Sequence, residues 1–333
     1  MVKFFNLDRH WDSVRDRVQS LADESLSAGL CQKSPIIDRV ESRIACVVNK
    51  LRAVTFSNCS DALAQGLRNL QLPKDSEVLV PEYTFTATIN AIQLAGLTPV
   101  LVDVDDFYHI DLEDAASKIT ERTRVLLYVT LLGSPAVSNI DDWCNVRDLI
   151  LVEDAAQSFG ATLANSAFSV LSFSPSKPCT TFGSGGMLVT NNSHTSWIAK
   201  KTRLHGNAEY IGINSMMSTS EASALQINLE LLDEHLARRR DIANHYFREL
   251  VDKYTFPKYR KGCTYSKFII QCEDRDNLKK YLGEQNIQTM VHYNKEFTQT
   301  NCKRLSKTSL TLPNCSYMTD QEVERVIKCL KEF

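Results

Sequence analysis

Short apolar runs that alternate with helical patterns limit the fold of this chain more than any other feature of its sequence. Such runs recur between residues 76 and 174, each too short for a typical helix and apolar on both faces. They are "SEVLVP" (76–81), "TPVLVDVD" (98–105), "RVLLYVTLLG" (124–133), "LILVEDAA" (149–156) and "AFSVLSFS" (167–174). Strands of this kind between helices are typical of a mostly parallel sheet covered on both sides. The sequence therefore predicts an α/β fold.

Helical periodicity accounts for much of the remaining sequence. Residues 35–53, 61–72 and 86–96 have the apolar spacing of helices that cover a sheet. Residues 221–254 keep this periodicity for more than thirty positions, which predicts a long or kinked connecting helix.

The last part of the chain has a different texture. "YSKFIIQCE" predicts a strand, "DRDNLKKYLGEQ" a helix, and "TDQEVERVIKCLKEF" a closing helix capped by Thr319 with Glu322 three residues on. This is the pattern of a smaller α+β unit. We therefore expect a large domain over residues 1–235, beginning with a helical segment, and a small C-terminal domain over residues 236–333.

Composition excludes several classes of protein. Hydrophobic residues make up 43% of the 333 residues and charged residues 23%, and the net charge is −2, so no basic surface for nucleic acid or an anionic membrane is expected. The ten cysteines form no C-x-x-C pair and no zinc-type spacing, so no metal site is expected. The charged N-terminus and the lack of any run near about 18 apolar residues predict a cytoplasmic protein with reduced thiols.

Two charged residues stand where a ligand of such a sheet would bind. Ligands lie beyond the carboxyl ends of parallel strands. Asp154 follows the run "LILV", and Lys177 comes 23 residues later, after the next predicted strand. Taken alone, the aspartate is more often a solvated or capping residue and the lysine a surface charge. Two adjacent strands, however, would bring both side chains to one edge of the sheet.

This pair suits one cofactor. A partly desolvated lysine has a lowered pKa and becomes a nucleophile for aldehydes. A buried carboxylate keeps a neighbouring heteroaromatic nitrogen protonated. A Schiff-base lysine and an aspartate partner for the pyridinium are the two requirements of pyridoxal phosphate chemistry. The sequence around Lys177 and Asp154 thus indicates a pyridoxal phosphate site.

The other parts of such a site occur in the expected order. "SNCSDAL" (57–63) places Ser60 at the start of a helix, where free N–H groups and the helix dipole favour an anion. "PEYTFTAT" (81–88) places Phe85 just past a strand, where its ring can cover a flat cofactor. Singly, Ser60 is more often only a helix cap and Phe85 more often a core residue. The four residues together make the prediction specific.

From about residue 27 to its end, the chain resembles the DegT/DnrJ sugar aminotransferases, which are fold type I pyridoxal phosphate enzymes. The resemblance starts in "SAGLCQKSPIIDRVESRIA" and continues through motifs spread along the chain. These motifs are "SDAL", "VLVPEYTFTATINAI", "PVLVDVD", "VEDAAQSFGA", "SFSPSKP…GSGG", "RLHG", "GIN" and "LPNCSYMTDQEVERVI". The resemblance implies a large domain with a mostly parallel mixed sheet between helices, followed by a smaller α+β domain.

The resemblance also implies roles for the residues that match the family's motifs. Lys177 would form the Schiff base with the cofactor and shuttle the proton. Asp154 would pair with the pyridine nitrogen, and Gln157 would hydrogen-bond the phenolic oxygen. Phe85 would stack on the ring.

The phosphate site is implied in the same way. The Ser60 hydroxyl, the backbone N–H of Asp61 and the Ser172 hydroxyl would hold the phosphate. Asn214 matches an asparagine that the neighbouring subunit contributes in the family. The match therefore implies a homodimer with two shared sites.

The implied reaction has two substrates. L-Glutamate would give its amino group to the cofactor, which would then aminate a nucleotide-linked keto-deoxyhexose, most often a 4-keto-6-deoxy sugar, in amino-sugar and surface-glycan biosynthesis. His292 and Tyr293 match a segment that lines the sugar-nucleotide pocket, although His292 could equally be a surface histidine. In a dehydratase branch of the family, histidine replaces the lysine, so Lys177 argues against that reaction.

Departures from the family pattern keep two alternatives open. Pro178 stands where the family usually has asparagine, Ser184 where it has an acidic residue, and Thr130 where a histidine is common; residues 215–219 also differ. A degenerate member that binds the cofactor and acts as a sensor or partner protein is one alternative. Another fold type I enzyme, such as a lyase, is the second.

Overall fold

The computed structural model describes residues 1–29, 31, 34–293 and 295–333. Leu30, Gln32 and Lys33, within the segment where the resemblance starts, lie outside the described residues. The strands are β1 (Arg52–Phe56), β2 (Glu77–Pro81), β3 (Thr98–Val102), β4 (Thr123–Val129), β5 (Ile150–Asp154), β6 (Phe168–Ser172), β7 (Gly186–Thr190), β8 (Leu204–Gly206), β9 (Ile211–Asn214), β10 (Phe268–Gln271) and β11 (Ser309–Leu312).

Helices fill most of the chain between these strands. They are α1 (Leu7–Ser27), α2 (Pro35–Val47), α3 (Cys59–Arg68), α4 (Thr86–Leu94), α5 (Leu112–Ser117), α6 (Ile140–Asn145), α7 (Ser193–Thr202), α8 (Thr219–Glu230), α9 (Leu232–Leu250), α10 (Arg275–Glu284), α11 (Thr300–Thr308) and α12 (Asp320–Glu332), with a short 3₁₀ turn at Leu131–Gly133.

The central sheet has the order β1-β7-β6-β5-β4-β2-β3. Strands β2 to β6 are parallel, and β7 runs antiparallel to both β6 and β1. The five runs predicted as strands are β2 to β6, so the predicted mostly parallel mixed sheet is confirmed. Strands β1 and β7 were not predicted as strands.

Residues 52–53 correct one prediction. The helix expected over 35–53 ends at Val47, and Arg52 already belongs to β1. Asn49 has a φ of 51°, and the Lys50 N–H donates to the Ala45 carbonyl. An asparagine in the left-handed region is a common way to end a helix. The apolar residues 53–56 then pair with β7 instead of extending the helix.

Helices bury both faces of the sheet. On one face, α3 and α4 pack on the strands through residues such as Leu63, Ile92 and Phe168. On the other face, α2 and α8 pack on β6 and β7, and α5 and α6 pack on β4 and β5. Because both faces are covered, the carboxyl ends of the parallel strands are left as the place for a ligand.

The C-terminal part has its own apolar cluster. The helical stretch predicted over 221–254 is kinked: α8 and α9 meet at Leu231. Along α9, Leu236 packs against the α2–α8 cluster, whereas Ile242 belongs to the C-terminal cluster formed with β10, β11 and α12. The predicted capping box of the last helix is present at Thr319 and Glu322. The boundary between residues 235 and 236 stays a prediction.

The N-terminus joins this C-terminal cluster. Val2 is 1% exposed within it and pairs with Ile287 through a parallel bridge. The first residues therefore pack against a unit that begins more than 230 positions later in the sequence. Within the described residues, none of the helices has the length and apolar character needed to cross a membrane.

Candidate active site

A cavity of about 720 Å³ lies at the carboxyl ends of the parallel strands. Its walls come from the segments that follow β2, β4, β5 and β6, and from residues 290–293 and Lys295 of the C-terminal part. All but two of the predicted site residues line it. Those present are Ser60, Phe85, Asp154, Gln157, Ser172, Lys177, His292 and Tyr293, whereas Asp61 and Asn214 are outside the described lining.

Asp154 is the last residue of β5 and points into the base of this cavity. It is 6% exposed. Its Oδ2 accepts a hydrogen bond from the Thr88 hydroxyl at 2.8 Å, and its Oδ1 accepts one from the Ala156 N–H at 3.1 Å. Burial raises the pKa of this carboxyl, and the two hydrogen bonds and the charge of Lys177 oppose the rise. A cation placed beside Asp154 would compensate for its burial.

Lys177 follows β6, which is the parallel neighbour of β5. The structure therefore brings Asp154 and Lys177 together at one edge of the sheet, as predicted. Burial lowers the pKa of the Lys177 amine, and the nearby Cys59 and Asp154 act in the opposite direction. A lowered pKa increases the fraction of neutral, nucleophilic amine.

The start of α3 forms another wall of the cavity. Asn58 caps the helix by accepting the Asp61 N–H at 2.8 Å. In this structure the Asp61 N–H is therefore used by the helix cap, and its predicted contact with a phosphate stays a prediction. The N–H groups of Cys59 and Ser60 precede the first intrahelical hydrogen bond, so they are the ones available to an anion. The Ser60 side chain also lines the cavity.

The Asp61 carboxylate has partners of its own. Its Oδ2 accepts hydrogen bonds from Ser57 at 3.2 Å, from the Asn58 amide at 2.9 Å and from Ser215 at 2.7 Å. These bonds hold the negative charge in a fixed position behind the first turn of α3. Asp61 thus orders the turn that presents Ser60.

A close backbone contact fixes β7 beneath the same turn. A Cβ on Gly186 would lie 2.2 Å from the Asn58 carbonyl carbon and 2.3 Å from the Cys59 nitrogen. Only glycine permits this approach, because these atoms belong to the backbone and cannot rotate away. The glycine cluster after Lys177 therefore sets the distance between the lysine loop and the start of α3.

Phe85 directly precedes α4 as its N-cap residue and is 63% exposed although it is a large apolar side chain. It lines the cavity as a flat, accessible surface. A flat group bound in the cavity could stack on this ring and bury it.

Gln157 and Tyr293 are joined across the cavity. The Gln157 Nε2 donates to the Tyr293 hydroxyl at 2.8 Å, and its Oε1 accepts the Leu132 N–H at 3.0 Å. The Nδ1 atom of the neighbouring His292 shares a hydrogen bond of 2.9 Å with the Thr311 hydroxyl. Burial lowers the pKa of His292 to about 3, with Lys267 and Lys177 adding to the effect. His292 is therefore neutral.

Asn214 lies elsewhere. It is exposed at the end of β9, where it pairs with Leu204 of β8. The structure contains one chain, so the predicted contribution of Asn214 to a neighbouring site stays a prediction.

Sequence reasoning missed several residues of the cavity. Thr88 lies one helical turn after Phe85, and this spacing of three was a signal for a second side chain on the same face. Lys267 precedes the apolar run of β10, where a lysine is unusual, and it is 4% exposed. Phe5 and Cys59 also line the cavity, and no pattern in the sequence pointed to Phe5.

The departures from the family pattern have structural settings. Thr130 is fully buried, and its hydroxyl contacts that of Ser158. Ser184 lines the cavity, and Pro178 is buried directly after Lys177. Among the residues that the structure describes, no group of three or more histidine, cysteine or acidic side chains could hold a metal ion.

Comparisons with known proteins identify the family of this chain. The profile of the DegT/DnrJ/EryC1/StrS aminotransferase family matches residues 12–331. A UDP-2-acetamido-2-deoxy-3-oxo-D-glucuronate aminotransferase from Pseudomonas aeruginosa is 28% identical over 88% of this chain and 86% of its own length. The erythromycin biosynthesis sensory transduction protein EryC1 from Saccharopolyspora erythraea is 30% identical over 88% of this chain and 84% of its own length.

A solved structure gives the same result for the fold. The crystal structure of S. venezuelae DesV in complex with a ketimine intermediate superposes with a TM-score of 0.95 at 27% identity. The match covers 99% of this chain and 98% of DesV.

Fold and site together define a fold type I pyridoxal phosphate-dependent transferase. More narrowly, the chain belongs to the DegT/DnrJ/EryC1/StrS aminotransferase family, and its cofactor is pyridoxal phosphate. The cavity suits that cofactor: it joins an amine of lowered pKa, a buried carboxylate and helical N–H groups that have no intrahelical partner.

Proposed function

We propose that this protein transfers the amino group of L-glutamate to a nucleotide-linked keto-deoxyhexose, a 4-keto-6-deoxy sugar, in amino-sugar and surface-glycan biosynthesis. The observation that supports the reaction class is the meeting of Lys177 and Asp154 in one cavity, on adjacent parallel strands, in a chain of an aminotransferase family.

Each part of the cavity has a role toward the cofactor. Lys177 would hold it as a Schiff base, and Asp154 would pair with the ring nitrogen. Phe85 would cover one face of the ring. Ser60, Ser172 and the first N–H groups of α3 would hold the phosphate. When bound, pyridoxal phosphate supplies an electrophilic aldehyde carbon and a ring that accepts electrons.

The protein's own residues then move and place the proton. Once released from the cofactor, the Lys177 amine would take a proton from the carbon that bears the donor nitrogen and pass it to the cofactor within the same half-reaction. In the second half it would carry a proton in the opposite direction, to the carbon that receives the amino group. Its lowered pKa favours the neutral form needed for the first transfer. Hydrogen bonds from the Thr88 hydroxyl and the Ala156 N–H favour the ionised form of the Asp154 carboxylate and oppose the effect of burial.

The C-terminal wall would contact the sugar. His292 and Tyr293 line the cavity, and the Gln157–Tyr293 hydrogen bond ties this wall to the segment after β5. Because His292 is neutral, it would act as a hydrogen-bonding group and not as a cation. Gln157 also lies where it could reach an oxygen on the cofactor ring.

The assembly and location are part of the proposal. An exposed Asn214, outside the described lining of its own cavity, suits a role in the site of a second copy. We therefore propose a homodimer with shared sites, acting in the cytoplasm. We also propose that the large domain ends at residue 235 and that the small domain begins at residue 236.

Borohydride reduction tests the cofactor lysine. Reduction of the pyridoxal phosphate-loaded protein should fix the cofactor covalently at Lys177, and Lys177→Ala should abolish the label. Label at another lysine would overturn this assignment.

Turnover assays test the reaction. L-Glutamate should remove the visible absorbance of the bound cofactor, and a keto-sugar nucleotide should restore it. A panel of dTDP-, UDP- and GDP-linked sugars with the keto group at carbon 3 or 4 would identify the acceptor, since the P. aeruginosa relative is named for a 3-oxo sugar. A spectrum unchanged by amino acids would support the sensor or partner role, which is the second candidate because EryC1 is named as a sensory transduction protein. Breakdown of amino acids without amino transfer would indicate a lyase.

A further inference from the structure

The cavity contains a buried amine that the reaction as described does not use. Lys267 precedes β10, is 4% exposed and lines the cavity. Among the residues that the structure describes, its Nζ has one hydrogen-bond acceptor, the Ser176 carbonyl oxygen, at a long 3.4 Å. Among the described residues, no carboxylate lies within 4.0 Å of that nitrogen, although 4.0 Å is a generous limit for an ion pair.

The surroundings of Lys267 are apolar or basic. The rings of Phe5 and Phe4 lie 4.7 Å and 5.6 Å from its Nζ. Burial lowers its pKa far below the ordinary range, and the charges of Lys177 and Arg239 lower it further. Burying an amine without an acid partner is costly. An apolar side chain at this position would pack against the two rings without that cost.

The cavity as a whole has an excess of basic groups. Its described lining includes Lys177, Lys267 and Lys295, with Asp154 as the carboxylate. In the proposed reaction Asp154 is paired with the ring nitrogen of the cofactor. Lys267 therefore stays available to an anion that enters with a substrate.

The position of Lys267 indicates which anion. Its contact with the Ser176 carbonyl places it beside the residue that precedes Lys177. Its charge acts on His292, at the C-terminal wall. The start of α3, where the phosphate would be held, is formed by Cys59 and Ser60, which belong to a different wall. An amino acid donor brings a carboxylate one carbon away from the nitrogen that reacts at Lys177.

From this geometry we propose that Lys267 binds the carboxylate of the amino acid donor, and so selects amino acids over simple amines. This proposal rests on the proposed function. Binding of the carboxylate would give the Lys267 ammonium an acidic partner, which the described part of the chain does not supply.

The test compares Lys267→Met, which keeps the length of the side chain, with Lys267→Arg, which keeps the charge. Rapid mixing with L-glutamate follows the loss of the cofactor's visible absorbance in a single half-reaction. Lys267→Met should weaken apparent binding of L-glutamate on the order of 10- to 100-fold, the worth of a hydrogen bond to a charged group. Lys267→Arg should recover most of it. Lys258→Met, at an exposed lysine outside the cavity, should behave like the wild type.

Amide substrates separate binding from a packing role. L-Glutamate α-amide and γ-amide each lack one of the two carboxylates of L-glutamate. The wild type should lose affinity for the amide that lacks the carboxylate contacted by Lys267. Lys267→Met should lose little further affinity when that amide replaces L-glutamate. Equal losses for acid and amides would show a packing role and overturn the proposal. A raised KM for the keto-sugar, with unchanged L-glutamate binding, would assign Lys267 to a uronate sugar and also overturn it.

A binding measurement keeps this test independent of turnover. Calorimetry with glutarate, which has carboxylates and no amine, should show binding to the cofactor-loaded wild type and loss of binding in Lys267→Met. Equal binding, or none to the wild type, contradicts the role of Lys267. A protein that binds glutarate through Lys267 but does not react with L-glutamate would refute the proposed function instead.

Discussion

At the scale of single residues, the site depends on how burial is compensated. Asp154 is buried and Lys177 is half-buried, and each would shift toward its neutral form without help. Two hydrogen bonds support the charge of Asp154. Lys177 has weaker support, which suits a group that must lose its proton. Burial disfavours the charged form of both residues. Hydrogen bonds oppose this effect at Asp154, whereas Lys177 is left more ready to become neutral.

Thr88→Val tests the support of Asp154. Removing the hydroxyl that donates to Oδ2 destabilises the ionised carboxylate, so the pKa of Asp154 should rise. The acidic limb of the kcat/KM profile should move to higher pH by about one unit, since a hydrogen bond to a charged group is worth about 1.5–3 kcal/mol. Thr88→Ser, which keeps the hydroxyl, should retain the wild-type profile. An unmoved limb in Thr88→Val would mean that Thr88 has no such role.

At the scale of elements, strand order brings the site together. Strands β5 and β6 are neighbours in the sheet, so Asp154 and the loop with Lys177 meet although 23 residues separate them. The turn at the start of α3 reaches the same place because β7 passes beneath it at Gly186. The relative positions of the site residues therefore depend on the contacts between these elements.

Gly186→Ala tests that contact. The added methyl would meet backbone atoms at 2.2–2.3 Å, so β7 and the start of α3 must separate. We expect a loss of about 1–3 kcal/mol in the free energy of unfolding, as for other overpacked sites. Retention of the cofactor should also weaken.

A second glycine in the same loop provides the control. A Cβ on Gly183 would meet only the Glu221 side chain, at 3.5 Å, which is ordinary contact. Gly183→Ala should therefore leave stability within about 0.5 kcal/mol of the wild type. Urea unfolding and the spectrum of bound cofactor measure both effects, and similar losses in the two variants would contradict the role given to Gly186.

The elements also show what the sequence could predict. The strands β2 to β6 were predictable because their apolar runs are buried on both faces. Strand β1 was not predictable, because residues 52–53 continue the apolar spacing of α2 in the sequence. In the structure the helix ends before Asn49, and residues 52–53 belong to the strand. Lys267 and Phe5 escaped prediction because their place in the cavity depends on contacts between distant segments, which no local pattern encodes.

At the scale of the whole molecule, α1 joins the large unit through buried histidines. His10 is 6% exposed, bonds to the Asn228 side chain at 2.5 Å and stacks on Tyr317 at 4.6 Å. The Asn228 amide in turn donates to the Thr180 carbonyl at 2.9 Å, in the loop after Lys177. His235 lies against His10, with ring centroids 5.1 Å apart. The N-terminal helix is thus connected to the lysine loop.

This arrangement predicts a loss of stability in acid. Burial lowers the pKa of His10 to about 4, helped by the charge of His235, so the unfolded chain binds more protons than the folded one between pH 6.5 and 4. Stability should fall as pH decreases through this range, by about 3 kcal/mol from His10 at most.

His10→Gln keeps a donor for Asn228 without a titrating ring. Its free energy of unfolding should fall less than that of the wild type between neutral pH and pH about 5, when both are measured at one protein concentration. Part of the slope should remain, because burial also lowers the pKa of His235. His194→Gln, at an exposed histidine, should follow the wild type. An acid sensitivity equal in His10→Gln and the wild type would refute this account.

The bridge between Val2 and Ile287 has a consequence for synthesis on the ribosome. Val2 must wait for a partner that emerges almost 290 residues later, and Phe5 and Lys267, which lie near these two positions, both line the cavity. Pairings this distant form late, because the intervening chain must be ordered first. A nascent chain can therefore assemble its central sheet before Lys267 and Ile287 emerge, whereas its catalytic cavity is complete only after them.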